Sequence, residues 1–82
     1  STKLKEFEFL LVDENKKIIT FKNRTQKLEK DLFIPKGYTL KLDSGTKITL
    51  IDASSIFSKS NILINGNKES PIIIETQKNK NH

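Results

Sequence analysis

FIPKGYTLKLDSGTKITLI, residues 33–51, and SIFSKSNILINGNKESPIIIE, residues 55–75, can be laid one on the other. Leu40 and Leu42 fall opposite Ile62 and Ile64, an offset of 22 (62 minus 40), and Ile48 and Leu50 fall opposite Ile72 and Ile74, an offset of 24 (72 minus 48). Each pair of apolar runs is separated by a turn of small polar residues, Asp43-Ser44-Gly45 in the first stretch and Asn65-Gly66-Asn67 in the second. Strand, turn and strand repeated at this period is the pattern of a solenoid, whose units each leave an apolar face that only a neighbour can bury. The sequence therefore predicts an all-β chain with one buried stack of Leu40, Leu42, Ile48, Leu50, Ile62, Ile64, Ile72 and Ile74.

Toward the N-terminus, Ile19 and Phe21 lead Leu40 and Leu42 by 21 (40 minus 19), so they extend the ladder to about three coils. Phe7, Phe9 and Leu11 alternate with Glu6, Glu8 and Leu10, which is strand periodicity, and Asp13-Glu14-Asn15-Lys16 reads as a turn. The same residues fit a second arrangement, an antiparallel hairpin over residues 7–22; the first-coil placement is preferred because it continues the ladder. Phe7, Phe9 and Leu11 are then expected to cover the first coil. The polar stretch Asn23 to Asp31 reads as a surface connection with one helical turn at Leu28 and Leu32. Pro35 stops a short strand at Phe33-Ile34 because it has no N–H for a ladder, and Gly37 supplies the turn that follows. Asp52-Ala53-Ser54 is a corner. The isoleucine runs at 62–64 and 72–74 are of the kind seen in parallel strands covered on both faces.

Eighty-two residues make one small domain with little surface to bury, expected over residues 1–76 with a disordered tail at 77–82. Cysteine is absent, so disulfides, thiolate metal sites and thiol catalysis are excluded. No apolar run approaches the roughly 20 residues of a membrane span. Lys3 and Lys5 precede a stretch too short, and too interrupted by Glu6 and Glu8, for a signal peptide. A start at Ser1-Thr2 looks like an excised or processed segment. The net charge of +5 divides into ten Lys or Arg against six Asp or Glu over residues 1–41, and five against four over residues 42–82. So mild and interleaved an excess reads as solvated strand faces, since phosphate binding calls for clustered cations.

Each candidate for chemistry has a plainer structural account. His82, the only histidine, ends a polar tail and reads as a terminal remnant. Asp13, Glu14 and Asn15, or Asp43 with Asp52, hold oxygen ligands suited to calcium, but neither set has a coordinating loop spacing, and both read as turns or corners. Gly45 and Gly66 stand alone and form no phosphate-cradling loop. Asp43 with Asp52, and Glu69 with Glu75, flank strands at opposite ends, which argues against a shared acid–base cleft. Tyr38 and the phenylalanines suit a sugar-stacking platform, yet core and end cover account for them more simply. No catalytic, cofactor-binding or metal-binding residue is assigned.

Ile34-Pro35-Lys36-Gly37-Tyr38-Thr39-Leu40, Gly45-Thr46-Lys47-Ile48, Asn65-Gly66 and Pro71-Ile72-Ile73-Ile74-Glu75-Thr76 resemble the coils of right-handed parallel β-helix proteins of the pectin-lyase-like kind, over roughly residues 18–76. The resemblance implies a short right-handed parallel β-helix with an N-terminal strand or hairpin as cover. Its implied role is a non-catalytic structural or binding segment of an extracellular or bacterial surface protein. Two alternatives stay open: a non-catalytic portion of a carbohydrate-active lyase or epimerase, and a small basic β-barrel that binds nucleic acid. The tail Gln77 to His82 offers no apolar residue to cover the last coil. Self-association or a C-terminal continuation is expected there, with polysaccharide as a further candidate partner.

Overall fold

A computed structural model describes residues 7–78. Among them nine strands and no helix form: β1 Leu10–Asp13, β2 Ile18–Phe21, β3 Thr25–Leu28, β4 Leu32–Ile34, β5 Thr39–Asp43, β6 Lys47–Ile51, β7 Ile56–Ser58, β8 Ile62–Asn65 and β9 Ile73–Gln77. The chain is all-β. Its strands divide among three separate sheets, ordered β1-β2-β5-β8, β3-β6-β9 and β4-β7. All pairs are parallel except β1 with β2, which run antiparallel.

This arrangement corrects the β-helix expectation. The sheets are small, open and uncurled, and none wraps into the coil that a right-handed parallel β-helix requires. The resemblance to pectin-lyase-like proteins is withdrawn on the same ground, and so is the barrel alternative, because no sheet closes on itself. The misreading has a physical source. Parallel in-register strands produce the same apolar period in sequence whether their sheets curl or stay open. What the period does report is the ladder.

Two of the three offsets give the observed register. Ile19 pairs with Leu40, and Leu40 and Leu42 pair with Ile62 and Ile64. The third differs: Ile48 lies opposite Ile74 rather than Ile72, an offset of 26 (74 minus 48). The connection from β5 to β6 takes three residues (44–46) and that from β8 to β9 takes seven (66–72), which moves the register by four (7 minus 3). The longer connection is folded on itself, with Asn67 Oδ1 accepting from the Glu69 and Ser70 amides at 3.0 and 2.7 Å. It is also tied to the earlier turn, because the Gly45 N–H donates to the Ser70 carbonyl at 2.9 Å.

The two arrangements weighed for residues 7–22 coexist: β1 and β2 form the antiparallel hairpin, and β2 is also the parallel neighbour of β5. β3 lies where a surface connection with a helical turn was expected. Its four residues pair fully with β6 from Thr25↔Lys47 to Leu28↔Leu50, so ladder bonding and the burial of Leu28 override weak local propensity. The turns have the required backbone. Gly37 (φ 91°) and Gly45 (φ 82°) occupy left-handed conformations that glycine takes without steric cost. At the Asp52-Ala53 corner two residues with a Cβ are left-handed as well, at φ 50° and 64°.

The core sits nearer the N-terminal end than the predicted stack. Leu10, Ile19, Leu28, Leu32, Ile34, Leu40, Leu42 and Ile48 form one buried cluster, with Leu50 and Ile72 only packed against it. Of the predicted stack, Ile62, Ile64 and Ile74 are exposed instead. Phe7 and Phe9 meet edge to face at 5.4 Å, and Phe9 stacks on Phe21 at 5.9 Å, so the aromatic part of the expected cover is present, whereas Leu11, expected beside them, is exposed and Leu10 is buried in its place. Gln77 belongs to β9 and Lys78 follows it; the rest of the expected tail lies outside the described residues.

Candidate functional site

The exposed apolar surface is built by β8 and β9. Each is the last strand of its sheet, so the backbone groups on its outer side meet no further strand among the described residues. Ile62, Leu63 and Ile64 on β8 and Ile73 and Ile74 on β9 are between 42% and 58% exposed. Ile62 and Ile64 continue the rows of Leu40 and Leu42, which are fully buried because β2 and β8 flank them on both sides. Ile74 continues the row of Ile48 in the same way. Ile62, Ile64 and Ile74 therefore lie on the core side of their sheets but meet no next layer among the described residues. Between them opens a groove of about 390 Å³ floored by Leu40, Leu42 and Leu50 and walled by Ile62, Ile64 and Ile74.

The electrostatics of this end are quiet. β8 (Ile-Leu-Ile-Asn) carries no charge and no proline, although edge strands are commonly blunted by one or the other. On β9 the carboxylate of Glu75 lies 3.8 Å from Lys47 Nζ of the neighbouring β6. Over residues 62–77 there are one lysine, Lys68, and two acids, Glu69 and Glu75. The excess positive charge of the chain therefore lies elsewhere.

The residues weighed for chemistry occupy structural positions. Asp13 Oδ1 accepts from the amides of Asn15 and Lys16, both at 3.0 Å, which makes the 13–16 segment a side-chain-closed turn. Glu14 accepts from the Tyr38 hydroxyl and lies 3.8 Å from Lys17 Nζ. The Tyr38 hydrogen bond, with the Lys17 charge behind it, holds the Glu14 carboxyl below its ordinary value. Tyr38 is thereby taken up by a turn contact, with Lys17 Nζ 5.1 Å from its ring centre. Asp43 lies 3.7 Å from Lys41, at one end of β6, and Asp52 lies past the other end. No three His, Asp or Glu side chains cluster among the described residues, and His82 lies outside them.

Phe33 and Phe57 were expected in the core or the end cover. They lie outside, 52% and 49% exposed, with ring centres 4.9 Å apart and planes 15° from parallel. The signal was present in the sequence: Phe33 alternates with Leu32 and Ile34, and Phe57 follows it by 24 (57 minus 33). Both facts put the two rings on the outer face of one parallel pair, β4 with β7, where Phe33 sits opposite Phe57.

Comparison with protein families, curated proteins and solved structures finds no match to this chain. The structural and lyase-derived roles implied by the β-helix resemblance fall with it. What stands is an all-β domain in which no catalytic or metal-binding cluster is found among the described residues. No helix among those residues is long and apolar enough to cross a membrane.

Proposed function

We propose that the chain is an assembly module whose open end, formed by β8 and β9, takes up a further β-bearing polypeptide. One observation carries it: Ile62, Ile64 and Ile74 on two edge strands are about half exposed while the rows they continue, those of Leu40, Leu42 and Ile48, are fully buried, and Leu63 and Ile73 beside them are as exposed. Isolated exposed aliphatics are ordinary, but a contiguous patch on unpaired strand edges is a surface for association. Either a second copy or a C-terminal continuation of the chain would supply the missing layer; for the isolated protein the partner is a second copy.

Two features favour a closed pair over a filament. The opposite end is covered by Phe7, Phe9 and Phe21, so head-to-tail stacking would meet no matching apolar surface. The open end matches the same end of another copy, which is the self-complementary contact of a two-fold dimer. Repulsion between two chains of net charge +5 is small there, because residues 62–77 carry one cation and two anions. Sedimentation velocity over a hundredfold concentration range tests the proposal. The expected result is a shift from one chain mass to two that Ile64→Lys and Ile74→Lys abolish. A single chain mass at every concentration for the unmodified protein would overturn it.

A further inference from the structure

We infer that the outer face of the β4-β7 sheet is a binding site for a small amphipathic anion, an aromatic or aliphatic ring body bearing a carboxylate. The site is independent of the open end and shares no residue with it. Its groove, about 580 Å³, runs beside the Phe33–Phe57 pair and is lined further by Pro35, Lys36, Ser58 and Lys59. That volume is of the size that takes a drug-sized molecule. No carboxylate lines it, and among the described residues neither Lys36 nor Lys59 belongs to an ion pair.

The walls are held in place before any ligand arrives. Gly37 N–H donates to Ser60 Oγ at 2.9 Å, joining the turn after β4 to the turn after β7 across 23 residues of sequence. Ser58 Oγ–H donates to the Ser60 carbonyl at 2.8 Å and accepts from the Ser60 N–H at 3.2 Å. The Pro35 to Tyr38 turn is closed by the Tyr38 N–H on the Pro35 carbonyl at 3.1 Å. Both lysines thus spring from braced turns, which lowers the ordering cost of binding.

Charge and polarity select the ligand class. The two rings and Pro35 offer an apolar floor for a planar or alicyclic body, and the two cations at the rim complement one or two negative charges. A peptide strand is less suited to this face, because main-chain partners lie along the edges of a sheet and the ring-bearing face offers none.

Titration of the isotope-labelled full chain with 2-naphthoate and with the neutral 2-naphthalenemethanol, followed by amide chemical shifts, tests the inference. Shifts are expected at Gly37, Ser58, Lys59 and Ser60, with the anion bound about three- to tenfold more tightly, as two exposed ion pairs allow. The double variant Lys36→Gln/Lys59→Gln should bring the two affinities together, whereas Lys22→Gln/Lys68→Gln, an equal change in net charge, should leave the preference intact. Phe57→Ala, or Phe57→Leu if the first loses its native spectrum, should weaken both ligands. Equal affinity for the two ligands in the unmodified chain would overturn the inference. So would loss of preference in the control variant, or shifts centred on Ile62 to Ile74.

Discussion

The two ends of this small domain solve the same problem differently. At the N-terminal end the apolar rows are closed from within, by the antiparallel β1 and by Phe7 and Phe9 against Phe21. At the C-terminal end the same rows run out at Ile62, Ile64 and Ile74, with nothing laid across them among the described residues. The difference shows where the fold obtains its stability. A row gains its hydrophobic contribution only where neighbours flank it on both sides, so identical residue types are worth unequal amounts along one ladder.

That inequality can be broken by truncation. Leu40→Ala, in the fully buried row, should lose about 2–5 kcal/mol by urea unfolding, whereas Ile64→Ala, one step along the sheet and 58% exposed, should lose less than about 1 kcal/mol. Equal losses would show that the last layer is as buried as the middle one. Next in size is Ser54→Ala. The buried Ser54 hydroxyl donates to the Leu28 carbonyl at 2.6 Å, joining the corner after β6 to β3, and its removal should cost about 1–2 kcal/mol. A loss near zero would mean that the corner is held by its backbone bonds alone.

Smaller effects belong to the turns. Ala53 at φ 64° bears the steric cost of a left-handed Cβ, so Ala53→Gly should raise stability by up to about 1 kcal/mol. A decrease would place the strain elsewhere. The smallest effect is set by pH. The Glu14 carboxyl is held below its ordinary value by Tyr38 and Lys17, so its contribution is present above the unfolded-state pKa and is lost as pH falls through the folded-state one. The stability difference between the unmodified chain and Glu14→Gln should therefore shrink on acidification from neutral pH. A gap that widens toward low pH would reverse the sign of the Glu14 contact.

The ladder was legible in the sequence because in-register parallel pairing repeats apolar residues at matching spacing. Leu40 with Ile62, and Ile19 with Leu40, follow directly from the offsets. The shape of the sheets was not, since curled and open sheets share that period. β3 escaped notice because Thr25-Gln26-Lys27-Leu28 has one aliphatic residue, and only its pairing with β6 makes it a strand. The Ile48 register was displaced because Ile72 was counted as strand, whereas it ends a seven-residue connection. The open end was legible as well, because residues 77–82 hold no apolar side chain to lay across Ile62 and Ile64. The Phe33–Phe57 pair was not: both rings were assigned to core or end cover, although the alternation in β4 points Phe33 outward.

Amide hydrogen exchange of β8 and β9 as a function of protein concentration tests the open end most directly. Association through this end predicts that amides 62–65 and 73–77 exchange quickly in dilute solution and gain protection as concentration rises, with β5 and β6 amides protected throughout. Protection in β8 and β9 that equals that of β5 and is independent of concentration would contradict an open end.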